Sequence, residues 1–245
     1  MQKNTTRLLA TAVLFVLPCA TWQARAHADK ASYPAMAPLN QYLIPDPESE
    51  IALARSAAPK SVSDGAEVLL LGRQGYSTAV KGNNGFVCLV QRSWAAATDF
   101  AEFWNPKIMA PICVNPPAAR TYLPSILLKA KLVLAGKSKT EIAQAVASAY
   151  DRAELPTLEP GAMCYMMSRQ QYLSDAGKSW QPHMMWFVSG DAAKTWRANL
   201  PGSPVIAAND PEDRLTIFLV WVGHWSDGAS APQDVYAKSA LHTLH

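Results

Sequence analysis

The hydrophobic period of this chain changes twice, and that change limits what it can fold into. From Glu67 the runs "EVLLLG", "YSTAVK" and "FVCLVQR" are short and rich in residues that suit strands. Between about 119 and 152 the apolar residues recur at helical spacing instead. Leu123, Ile126, Leu127, Ala130 and Leu134 form one stripe; Ile142, Ala145, Val146 and Ala149 form a second. Gly136 separates them, and Ser138-Lys139-Thr140-Glu141 carries the reciprocal capping box of a helix start. Strand-like runs return as "AMCYMM", "HMMWFV" and "LTIFLVWVG". Strands, a helical hairpin and strands again predict an α+β fold with a largely antiparallel sheet.

Finer punctuation fills in the rest. Residues 29–45 are proline-rich and aperiodic, an extended lead-in. Asp46-Pro47-Glu48 then supplies a cap, a first-turn proline and an acid at a helix start, and Pro59 ends that helix. Gly82-Asn83-Asn84-Gly85 tolerates positive φ, which predicts a tight hairpin and makes the first three runs an antiparallel meander. Phe86 to Gln91 is so apolar that both of its faces require cover. Residues 98–120, with four prolines, read as irregular, and Asp191 to Ala198 as a short helix.

The N-terminus speaks to location. Lys3 and Arg7 precede the apolar run "LLATAVLFVLPCA", and Ala26-His27-Ala28 follows with the small-x-small form that a signal peptidase cuts behind. Residues 1–28 therefore read as a secretory signal peptide, leaving one domain over 29–245 with a mobile C-terminal tail. Pro18 before Cys19 argues against a lipid-modified cysteine. Three of the 22 basic residues lie in the signal segment, leaving 19 against 19 acidic ones. A neutral chain without basic runs lacks the electrostatic footprint of a nucleic-acid or anionic-lipid partner. No second apolar run is long enough to insert into a membrane. The expected location is periplasmic or secreted.

Residues 161–190, "GAMCYMMSRQQYLSDAGKSWQPHMMWFVSG", raise the question of a site. Cys, Met and His are soft ligands suited to Cu(I), which makes copper binding a remote alternative. Alternation along two strands explains the same residues as core, with Met filling irregular gaps. There is no C-x-x-C and no H-E-x-x-H, so no metal and no cofactor is expected. Gly75-Tyr76-Ser77-Thr78-Ala79 has the wrong context for a nucleophile elbow. Among titratable groups the catalytic candidates are His183, which precedes a strand, and His224, which follows one beside Ser226 and Asp227. Trp94, Trp104, Trp180 and Trp225 fall in loops or at strand ends, where flat aromatic faces suit sugars or other partly apolar ligands. Of these, Trp94, Trp104 and Trp225 are the candidate ligand-binding residues. Trp186 and Trp221, in apolar runs, read as core.

Cys88, Cys113 and Cys164 follow the signal segment. In an oxidising compartment one pair and one leftover are expected. Cys88–Cys113 would pin a proline-rich loop, and Cys113–Cys164 is the other option.

The strings "NNGFVCLVQRSW", "FWNPKIMAPIC", "LEPGAMCYMMS", "WQPHMMWFV" and "NLPGSPV" resemble an uncharacterised family of bacterial exported proteins. The resemblance implies export from a bacterial cell; it carries no activity and no catalytic residues to transfer. The leading expectation is a binding or interaction module for a small, partly apolar ligand or an envelope component. The rival is a hydrolase-like enzyme using His224 or His183.

Overall fold

Five consecutive buried residues, Val87–Gln91 (β3), mark the interior of the sheet. In the computed structural model, which describes residues 33–201, 203 and 205–232, β3 is one of eight strands. The others are β1 (Glu67–Gly72), β2 (Gly75–Val80), β4 (Ala110–Val114), β5 (Met163–Met166), β6 (His183–Ser189), β7 (Ile206–Asp210) and β8 (Leu215–Trp221). Their order is β2-β1-β3-β4-β5-β6-β8-β7, and β1 with β3 is the one parallel pair among the described strands. The helices are α1 (Pro47–Arg55), α2 (Lys60–Ser63), α3 (Pro116–Thr121), α4 (Leu123–Leu134) and α5 (Lys139–Asp151). The fold is α+β with a mostly antiparallel mixed sheet. Among the described residues no helix is long and apolar enough to cross a membrane. The expected signal segment and the tail with His242 and His245 lie outside the described residues.

The opening meander is corrected. β2 pairs antiparallel with β1, but β3 lies on the other side of β1 and runs parallel to it. The burial pattern explains the choice: β3 needs neighbours and cover all round, whereas β2 is mostly exposed and serves as an edge. The Gly82–Gly85 stretch is thus a crossover rather than a hairpin turn. A Cβ at Gly82 would stand 2.1 Å from the Glu67 backbone nitrogen, so the crossing requires glycine there.

Residues 98–120 also yield more order than expected. β4 forms with Pro111 inside it, opposite Val90 of β3. Cys88 and Cys113 face each other with Cα atoms 4.0 Å apart, the narrow spacing of a non-hydrogen-bonded pair. Pro111 is two residues away, so its nitrogen also turns from β3. On that side β5 pairs only as far as Cys113, and the missing N–H breaks no ladder. Asn115 caps α3 by accepting from the Ala118 amide. The single helix expected from Ala119 is broken at Tyr122, because Pro124 has no N–H to continue the first ladder. Residues 191–198 form turns rather than a helix, with positive φ at Arg197 and Asn199.

The pleat sorts the two faces of the sheet. Leu89, Ile112, Cys164, Met166 and Phe187 pack under Ala118 of α3, Leu123 and Ile126 of α4, and Tyr122 between the two helices. On the opposite face Val68, Cys88, Val90 and Cys113 pack under Ala54 of α1 and Ala57 just after it. A third cluster joins Ala130 and Val133 of α4 to Ile142, Val146 and Ala149 of α5, with Tyr42, Leu71 and Trp94. The lead-in is therefore anchored. Buried Arg92 ties it down, donating to the Tyr42 and Val90 carbonyls and to Glu50 of α1.

Candidate functional site

On the α4 face, strands β6, β8 and β7 together with the loop after β3 enclose a cleft of about 310 Å3. Its walls are largely apolar, among them Phe100, Met166, Leu173, Trp180, Met185 and Ile217. The polar residues that line it are Gln91, Arg92, Ser93, Ser174, His183 and Asp210, with Tyr122 beside them. A larger concavity of about 570 Å3 beside the end of α5 carries Asp213 and Arg214. Both are already engaged there, Asp213 by Lys129 and Arg214 by Asp151.

Strand register brings together residues that the sequence keeps apart. Cys164 sits opposite Met185, and Met166 opposite His183. All four therefore share the α4 face. Burial pushes the Cys164 thiol well above its ordinary value, so it stays protonated and is no thiolate ligand. Among the described residues no group of three His, Cys, Asp or Glu side chains is placed to hold a metal ion.

His183 is 1 % exposed, its ring between Trp180 and Trp221. Nδ1 lies 2.8 Å from the Gln181 carbonyl oxygen. A carbonyl only accepts, so Nδ1 carries the hydrogen and the neutral ring keeps its lone pair at Nε2. Burial pulls its pKa down to about 4, against the opposite pull of that carbonyl. The ring is neutral at any ordinary pH.

Asp210 ends β7 and begins the turn Asp210-Pro211-Glu212-Asp213 into β8. Its Oδ1 accepts from the Asp213 amide. Lys129 of α4, fully buried, meets this turn at 2.9 Å from Asp213 and 3.3 Å from Glu212. Glu212 also accepts from the amide and hydroxyl of Thr98, fixing the turn to the loop after β3. Burial raises Asp210 to about 6, and the Asp213 charge adds to that, against the pull of Lys129. Burial works against the Lys129 ammonium too, but the charges of Asp213, Asp210 and Glu212 outweigh it and hold the pKa above its ordinary value.

Two buried polar atoms on the cleft wall lack partners. Ser93 is 2 % exposed and Gln91 7 %, and neither Ser93 Oγ nor Gln91 Nε2 makes a hydrogen bond. Gln91 Nε2 lies near the Tyr122 hydroxyl without reaching hydrogen-bond geometry. Unmatched buried groups on a concave wall are what a ligand would satisfy.

The other sequence candidates are placed differently. Trp94 is fully buried against Tyr42, and Trp104 packs edge-on to Phe103. Both are core, not aromatic faces open to a ligand. Trp225 is half-buried beneath the Arg169 guanidinium, 5.9 Å from the ring centre. Arg169 also pairs with Asp227, which accepts in addition from the Ala229 amide. His224 is exposed and bridges to Ser230. Neither His224, Asp227 nor Trp225 lines the cleft; His183 and Trp180 do.

Sequence reading passed over Asp210, Ser93, Gln91 and Lys129. One signal was available. Lys129 falls on the stripe of Ile126, Ala130 and Val133, where a charge needs a buried partner, and "NDPEDR" is the acidic turn that supplies it. No family model, no curated protein and no solved structure matches the chain.

Proposed function

We propose that this chain is an exported binding protein whose cleft takes a small, partly apolar ligand. The observation that carries the reading is the pair of unpartnered buried groups, Ser93 Oγ and Gln91 Nε2, on an otherwise apolar wall. Leaving such groups unmatched costs about 1–3 kcal/mol each, a cost that a complementary ligand would remove. Export is supported by the Cys88–Cys113 disulfide, which suits an oxidising compartment, and by the signal-like N-terminus. The ligand would be a free small molecule or an exposed group of an envelope component.

The hydrolase-like alternative has less behind it. His183 offers a lone pair at Nε2, but a main-chain carbonyl orients its ring rather than a carboxylate. Of the serine hydroxyls in the cleft, Ser93 makes no hydrogen bond and Ser174 accepts from the Gly177 amide, so neither is shown paired with a base.

A thermal-shift screen of the mature protein against small amphipathic molecules tests the reading. A ligand at 100 times its Kd raises stability by about 2.7 kcal/mol. Ala208→Trp, which fills the cleft from the half-buried side of edge strand β7, is expected to abolish that shift while the free protein still melts cooperatively. A shift that survives this substitution would place the binding site elsewhere.

A further inference from the structure

The charges around the cleft do not balance. Arg92 on its wall is matched by Glu50 at 2.8 Å. Lys129 alone faces Asp210, Glu212 and Asp213, which leaves two formal negative charges in excess when all are ionised. Among the described residues, Lys129 is the cation that acts on Asp210. Arg214, on the same turn, is committed to Asp151. His183 is neutral, and burial holds the Tyr122 and Tyr150 hydroxyls protonated. Of the three carboxylates, only Asp210 lines the cleft.

Three further features bear on the ligand. Ser93 presents a buried, unpartnered hydroxyl that can accept from an N–H. Gln91 presents an unpartnered N–H donor that asks for an oxygen. The aromatic side chains of Phe100, Tyr122 and Trp180 line the same space, and aromatic rings attract a cation and disfavour an anion at their faces.

We infer that the cleft selects a small amine on an apolar or aromatic body, its ammonium seated at Asp210 and an oxygen of its body near Gln91. This rests on the binding reading above and adds the charge of the ligand to it. An amine supplies the cation that the turn lacks, and a carboxylate in the same place would meet the excess negative charge. Because Asp210 holds its proton up to about pH 6, amine binding near that pH releases a proton from it.

Three probes of one shape separate the possibilities: tyramine, tyrosol (the neutral alcohol) and 3-(4-hydroxyphenyl)propionate. Calorimetric titration of the mature protein at pH 7.5 is expected to show tyramine binding at least roughly tenfold more tightly than tyrosol, a step of about 1.4 kcal/mol, with the carboxylate weakest. In Asp210→Asn the tyramine advantage is expected to shrink to within about threefold while tyrosol binding persists. At pH 6, tyramine but not tyrosol should release protons, read from the heat difference between two buffers of unequal ionisation enthalpy. Equal binding of tyramine and tyrosol by the wild-type protein overturns the inference and leaves a neutral-ligand cleft standing. Tightest binding of the carboxylate overturns it as well. If no probe binds, the inference falls, and the Ala208→Trp screen decides separately whether the cleft binds anything. The wild-type comparison needs no variant, so a poorly folding Asp210→Asn protein would not rescue the idea.

Discussion

Lys129 shows how much one residue can hold in tension. Helical spacing puts it among Ile126, Ala130 and Val133, and it is wholly buried, yet its ammonium has carboxylates on two sides. Removing one partner of such a group leaves the others as uncompensated buried charge, which costs about 3–5 kcal/mol. Lys129→Met is expected to destabilise by that amount in urea titrations. Adding Glu212→Gln and Asp213→Asn to it should recover much of the loss, since the charges go together. If the triple variant is no more stable than the single one, the cost lies in packing rather than charge. The residue scale is also where the sequence misleads. Trp94 and Trp104 stand beside polar neighbours in an irregular stretch, and nothing local says that Tyr42 and Phe103 will cover them. Ser93 and Gln91 are ordinary until the fold buries them without partners.

Among the elements, capping chemistry is the most legible layer. Asp46 accepts from the Ser49 amide at the start of α1, and Ser138 and Glu141 complete their box at the start of α5. Both follow from a few adjacent residues. Strand pairing does not: the parallel β1–β3 contact and β4 with its internal proline depend on what lies across the sheet. The disulfide illustrates the difference. From spacing alone both pairings of Cys113 are open. Cys113 lies opposite Tyr165, and Cys164 opposite Val114, so the two thiols point to opposite faces of the sheet. Of these two partners Cys88, directly across from Cys113, is the one bonded to it. Peptide mapping without reductant should find Cys88–Cys113 and leave Cys164 as the free thiol, protected from alkylation until the protein unfolds. The bridge spans a separation of 25 residues, worth about 3.5 kcal/mol on the chain-entropy model. A Cys88→Ala, Cys113→Ala double variant is expected to lose about that much. A loss below about 1 kcal/mol would mean that sheet pairing alone already confines this loop.

At the scale of the whole molecule, the cleft joins two buried groups whose titrations oppose each other. His183 has its folded pKa lowered, to about 4 from an ordinary 6.5. As pH falls from 6.5 toward 4 the unfolded chain takes up that proton first, so this group's share of stability is lost on acidification and regained as pH rises. Asp210 has its folded pKa raised, to about 6 from 3.8. Between those values the folded protein keeps a proton that the unfolded chain has released, so this share falls as pH rises. Each share is on the order of 3 kcal/mol across its window, since one pKa unit corresponds to about 1.4 kcal/mol. From about pH 4.5 to 6 the slopes have opposite signs, so the contributions of these two groups largely cancel in the wild type. Removing either group should uncover the other. Relative to the wild type, His183→Phe should lose stability as pH rises through that range, and Asp210→Asn should gain it. Urea titrations at half-unit steps measure both slopes, and the comparison uses slopes only, so any packing cost of the ring substitution drops out. Profiles for both variants that run parallel to the wild type would show that these groups do not titrate as a buried pair. Opposed slopes would mean that the same burial which creates the cleft also sets the pH at which Asp210 becomes an anion.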